Sequence, residues 1–168
     1  MFGSRFWIAA CALSCVVCGF ASGADRLREL QDRFDKEAHA EAKVKALEKL
    51  SEAQFEAAGK AGSLSDFVAV GFIFEKYRDN VRAALDLLKQ QEPDADRHPG
   101  GYRHLELQLR RGIREVEDTL LVVAPDMRPP LGIVRKDLLD MDDELIRLLF
   151  PRRTKDPQKV PSVPEEKQ

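Results

Sequence analysis

The side chains with chemistry to offer are three histidines, one acidic run and four arginines. His39 sits in a charged stretch, His98 precedes Pro99, and His104 follows a Pro/Gly-rich segment. One helix aims two ligands at a single metal when they stand as Glu-x-x-His or His-x-x-x-His, and none of the three is so placed. His104 and Met141 are of the types that serve as axial haem ligands. Met141, however, falls on an apolar stripe, where a thioether is expected in the core. Asp137, Asp140, Asp142, Asp143 and Glu144 supply carboxylates but lack the turn-making glycine and spaced oxygens of a calcium loop, and a helix would point neighbouring carboxylates apart. A solvated face is the expected reading. Arg103, Arg110 and Arg114 share one helical face with Arg111 beside it. They suit an anionic partner, or ion pairs to the acidic run, which are individually weak at a surface. No Ser or Cys is paired with a His, and there is no glycine-rich phosphate loop or aromatic stacking platform. The chemistry expected is therefore recognition: no catalytic, cofactor-binding or metal residues, no cofactor, and Arg103, Arg110, Arg111 and Arg114 as the candidate interaction face.

The N-terminus sets the compartment. Arg5 gives a positive start, Phe6 to Phe20 is an uncharged apolar run, and Ala21-Ser22-Gly23-Ala24 offers small residues for a signal peptidase. Residues 1–23 are read as a cleaved secretory signal, because the run is shorter than the roughly 20 residues that a spanning helix wants. An uncleaved anchor is the alternative, and only then is a membrane a partner. Cys11, Cys15 and Cys18 all lie in this segment. The mature chain would hold no cysteine, hence no disulfide, thiolate ligand or thiol nucleophile. The expected location is exported, periplasmic or extracellular. At a formal net charge of -2 over 168 residues, no global excess of either sign demands nucleic acid or an anionic polymer.

The elements that must position the arginines are helices. Phe67, Val70, Phe74, Tyr77, Val81, Ala84 and Leu88 alternate at spacings of three and four, the stripe of an amphipathic helix. Tyr102, Leu105, Leu109, Ile113, Val116, Leu120 and Val123 repeat the pattern, as do Leu131, Val134, Leu138, Met141, Leu145 and Leu148. Asp25 to Lys60, free of proline and rich in helix formers, carries two stripes whose phase changes near His39. One long first helix, curved or kinked there, is expected. Gly59 and Gly62 should stop it, and Ser63 with Asp66 should start the next. Gly71 and Gly112 each predict a close helix approach. No period near 34 residues returns, which sets a tetratricopeptide-like repeat aside. The architecture expected is all-α, an antiparallel four-helix bundle over residues 24–150 with shallow crossings. Residues 151–168, charged and proline-rich, should form a disordered tail.

The stretches FEKYRDNVRAALDLLK (74–89) and RPPLGIVRKDLLDMDDELIRLLFPRR (128–153) resemble exported all-helical bacterial proteins that carry no assigned activity, over the three later helices. That resemblance implies a shared bundle and carries over no catalytic residue. The function expected is a non-enzymatic interaction or scaffold module of the cell envelope, meeting an unknown protein partner and open to homodimerisation. The alternative is a ligand or cofactor carrier holding haem or a metal in the bundle interior.

Overall fold

The structure, a computed structural model, describes residues 17–151, with side chains from Gly23 onward. Within that range the chain is all-α: α1 (Val17–Lys36), α2 (Ala40–Ser63), α3 (Phe67–Gln91), α4 (Pro99–Val122) and α5 (Arg128–Leu149), with a 3-10 turn at Pro125–Met127 leading into α5. The first sixteen residues of the expected signal lie outside the described residues, and so does the expected tail beyond Pro151.

The single long first helix is corrected to two. The chain breaks at Glu37-Ala38-His39, and α1 runs back along α2: Lys43 meets the end of α1, Arg26 comes within 4.0 Å of Glu56, and Gly23 and Ala24 lie beside Ala61 and Leu64. The change of stripe phase near His39 has this cause. Two stripes rotated against each other cannot both face one interior along a straight rod, but a reversal lets α1 bury Phe34 against the helix that follows. Side chains secure the reversal. Lys43 Nζ donates to the backbone carbonyls of Phe34 at 2.8 Å and Glu37 at 3.2 Å, capping the α1 C-terminus, where the Phe34 oxygen also accepts from the Glu37 N–H at 3.2 Å. Gln91 at the far end of α3 accepts from the Ala40 N–H at 2.9 Å and donates to the Ala38 carbonyl at 2.7 Å.

The next boundary also moves. α2 continues through Gly59 and Gly62 to Ser63, and Ser63 Oγ bonds back to the Lys60 carbonyl at 2.7 Å. Asp66 is the N-cap of α3, its carboxylate accepting from Ala69 N–H at 3.1 Å. Between them Ser65 takes φ 59°, a left-handed conformation that turns the chain within three residues.

α2 to α5 surround one core, each packing on two others at its sides. The contacts give their directions. Glu48, Ser51 and Glu52 on α2 meet His104, Gln108 and Arg111 on α4, in the same order, so α2 and α4 are parallel neighbours. Arg78 and Lys89 on α3 meet Asp137 and Glu144 on α5, again in order. Two antiparallel hairpins, α2–α3 and α4–α5, thus lie side by side, and the 92–98 segment crosses the diagonal to join them. Tyr77 of α3 reaches across that diagonal to the Gln108 carbonyl at 2.8 Å. α1 packs outside, on α2, and touches α3 where Gln31 and Asn80 exchange amide hydrogen bonds at 3.0 and 3.1 Å.

The core holds the predicted stripes. Val70, Phe74, Tyr77, Val81, Ala84 and Leu88 are buried from α3, Tyr102 to Val116 from α4, and Leu131 to Leu145 from α5. At roughly 1.5–3 kcal/mol for each large apolar side chain buried, these stripes are the main source of stability. Phe55 joins them at centroid distances of 5.0 Å to Tyr77 and 6.1 Å to Phe74. The expected close approach at Gly71 does not occur, since a Cβ there would meet nothing within 4 Å. At Gly112 it does: a Cβ would run into the Tyr77 ring.

Candidate functional site

α4 presents the arginines because its inward face is taken by Tyr102, Leu105, Leu109, Ile113 and Val116, which leaves the polar positions between them to water. The four arginines divide by what they touch. Arg103 and Arg114 are exposed and make no ion pair or hydrogen bond among the described residues. Arg110 is held by Glu106 one turn back at 2.5 Å, with Asp142 of α5 at 3.9 Å. Arg111 turns the other way, to Glu52 of α2 at 3.5 Å, with its guanidinium 5.6 Å from the Phe55 ring centroid. Arg111 thus closes the α2–α4 seam, while Arg103, Arg110 and Arg114 stay on the outward face.

Leu107 lies on that same outward stripe and is 63% exposed. Sequence reasoning passed over it. The available signal was an apolar residue standing among arginines on the polar side of an otherwise well-divided helix. A cation, an apolar side chain and a second cation in line can recognise an anionic protein surface that offers an apolar anchor point.

The acidic run of α5 finds most of its partners away from α4. Asp137 meets Arg78 at 3.3 Å and Glu144 meets Lys89 at 2.9 Å, both on α3, while Asp140 pairs with Lys136 on its own helix at 2.7 Å. The hydrogen bond that Lys89 donates to the Glu144 carboxylate raises it above the ordinary lysine range, against the opposing effect of burial. Asp142 is less well served: its Oδ1 is buried and accepts no hydrogen bond. Burial pushes its carboxyl above the ordinary range; Arg110 opposes that shift, and the nearby carboxylates of Glu106 and Asp143 add to it.

The histidines are dispersed. His104 Nε2 lies 3.2 Å from Glu48 Oε2 in the α2–α4 seam, whereas Met141 is buried in the core from α5. His39 is exposed in the α1–α2 reversal, and His98 is exposed just before α4. Among the described residues no three His, Cys, Asp or Glu side chains gather as a metal would need. The interior polar groups mostly satisfy one another: Ser51 Oγ bonds to the Glu48 carbonyl at 2.9 Å and lies 3.4 Å from Gln108 Oε1. Gln54 Oε1 is buried without a partner. A shallow groove of about 480 Å³ runs between α1 and α2, lined by Leu27, Ala53, Ala57, Ala61 and Leu64, with Glu56 and Lys60 among its polar residues.

Comparison of the chain with family models, curated proteins and solved structures gave no match. No described helix is long and apolar enough to cross a membrane.

Proposed function

We propose that the protein is a non-enzymatic, exported helical-bundle protein that acts as an interaction or scaffold module in the cell envelope. Its contact surface is the outward face of α4. One observation carries this reading: Arg103 and Arg114, which make no ion pair or hydrogen bond among the described residues, flank the exposed Leu107 on one stripe. Two guanidinium groups without an ion pair among the described residues are available to a partner, and no ion pair of the bundle has to break before they bind. Leu107 supplies apolar area that the solvent does not favour. The partner that fits is a protein with an acidic rim around an apolar pocket. The bundle behind α4 serves as a rigid mount, because the seams of α2 to α5 fill one another and Arg111 pins α4 to α2.

Export rests on the residues themselves, the apolar run Phe6–Phe20 followed by Ala21-Ser22-Gly23-Ala24. The likeness to exported helical bacterial proteins points the same way. The test is a photo-crosslinking residue at position 107 of the full chain, expressed in an envelope of the type proposed. A single protein adduct is expected, lost when Arg103→Glu and Arg114→Glu are introduced together. No adduct at position 107, or one indifferent to both charge reversals, sinks this reading.

A further inference from the structure

A different surface suggests a second kind of contact. Single exposed apolar residues are ordinary; their gathering at one end of a molecule is not. Nine large apolar side chains are exposed among the described residues, and six of them, Leu64, Val68, Phe72, Leu121, Val122 and Ile133, belong to the end where α2 passes into α3 and α4 into α5. They come from the end of α2, the start of α3, the end of α4 and the start of α5. No single helix owns them; they lie around this end of the bundle, on the outer faces of the helices that meet there. The opposite end has only Ile146 and Phe150 of the nine, and its connecting segment carries Glu92, Asp94, Asp96, Arg97 and His98.

α1 also begins at the apolar end, for Gly23 and Ala24 lie beside Ala61 and Leu64 there. The chain N-terminal to Gly23, which includes the apolar run Phe6–Phe20 of the sequence, therefore departs from the bundle at this end. With the export proposed above, this is the end that the run would hold nearest the bilayer. That holds whether the run stays in place or is cut at Gly23 or Ala24.

We infer that the apolar end, from Leu64, Val68 and Phe72 round to Ile133, Leu121 and Val122, rests on a lipid bilayer, with the bundle axis raised from its surface. Exposed apolar side chains contributed by four elements, at the end from which the N-terminal chain departs, suit a fluid apolar partner that can meet several helices at once. The surface near these residues carries both signs, including Lys60, Asp66, Lys76 and Asp126. The contact is therefore assigned to the acyl–headgroup boundary of uncharged lipid, without need of anionic lipid. The bilayer contact uses a different surface from the Arg103–Leu107–Arg114 stripe and does not depend on it.

The test uses the full chain with Trp7→Phe, which removes the sole tryptophan, and then either Phe72→Trp at the apolar end or Phe150→Trp at the other. Both native residues are exposed, so neither change disturbs the core. Each protein is mixed with phosphatidylcholine vesicles whose acyl chains are brominated. Loss of most of the indole emission from Phe72→Trp is expected, with that of Phe150→Trp unchanged; adding Val68→Asp and Leu121→Asp should restore the former. Quenching in neither protein, or equal quenching in both, overturns the inference. So does quenching that survives the two aspartates, because the N-terminal run would then account for it. A blue shift of Phe72→Trp that grows with protein concentration in the absence of lipid assigns the patch to a second copy of the chain and overturns it equally.

Discussion

Gly112 and Gly71 look alike in the sequence and behave oppositely. The Tyr77 ring fills the space a Cβ at Gly112 would need, while Gly71 faces open space. Gly112→Ala should destabilise the protein by about 1–3 kcal/mol, the usual cost of overpacking. Gly71→Ala should stabilise it by about 1 kcal/mol through helix propensity alone. Thermal melts of the two variants read both signs at once, and a fall at Gly71 would reveal a neighbour not seen here. Asp142 makes a prediction in pH. Its carboxyl binds a proton more tightly folded than unfolded, because burial disfavours the charge. Between the ordinary value near 3.8 and the raised folded value, the folded state holds more proton, so this residue's contribution to stability worsens as pH rises through that window and stays unfavourable above it. Asp142→Asn should therefore raise stability at neutral pH and flatten that part of the profile. Denaturant midpoints measured across the acid range check it, and a loss of stability at neutral pH would show that the carboxylate is better paired than the 3.9 Å to Arg110 suggests.

At the scale of the helices, the reversal between α1 and α2 depends on one buried cation. Lys43 is 9% exposed, lies 4.3 Å from the Phe34 ring centroid and bonds two carbonyls of the α1 end. Lys43→Ala takes the lysine donor from the Glu37 carbonyl and leaves the Phe34 carbonyl only its bond from the Glu37 N–H, and should cost about 1–3 kcal/mol. Its effect should be local: amide exchange ought to quicken over residues 25–36 far more than in α4 or α5, since α1 contributes little to the central core. Uniform loss of protection would mean α1 is integral to that core. This reversal also shows where the sequence stops speaking. The inward stripes of α3, α4 and α5 were legible through the middle of each helix, because burial imposes the 3.6 period on any helix that packs; at the ends Phe67, Leu120 and Leu148 are only partly buried, and Leu149 is buried beside Leu148. A change of phase near His39 was legible too, but not its resolution. Kink and reversal differ by side chains from elsewhere in the chain, Gln91 above all, and no local pattern announces them. The α3–α5 ion pairs were hidden for a similar reason: the acidic face of α5 is plain in the sequence, and which basic helix stands beside it is a matter of topology. Of the candidate face, the arginine stripe was legible, while the diversion of Arg111 to Glu52 and the exposure of Leu107 needed the neighbours of α4.

For the molecule as a whole, one core stabilises both hairpins. Phe74 is 1% exposed and lies against Phe55 across the α2–α3 seam. Phe74→Asp puts an unpaired carboxylate there, at a cost of several kcal/mol against a total margin of about 5–15 kcal/mol. Loss of the cooperative unfolding transition is expected by circular dichroism, and a melt like that of the parent would place Phe74 on the wrong side of its helix. The parallel pairing of α2 with α4 and of α3 with α5 has a consequence for assembly. Within the bundle of α2 to α5, the diagonal 92–98 segment is the only covalent link between two hairpins whose seams are made for each other rather than for themselves. Nothing in those seams tells a hairpin which copy its complement belongs to. Should that link straighten, the α2–α3 hairpin of one chain can close on the α4–α5 hairpin of another with the same interior, so crowding of newly made chains, and not any new contact, would decide between the self-contained molecule and an exchanged pair.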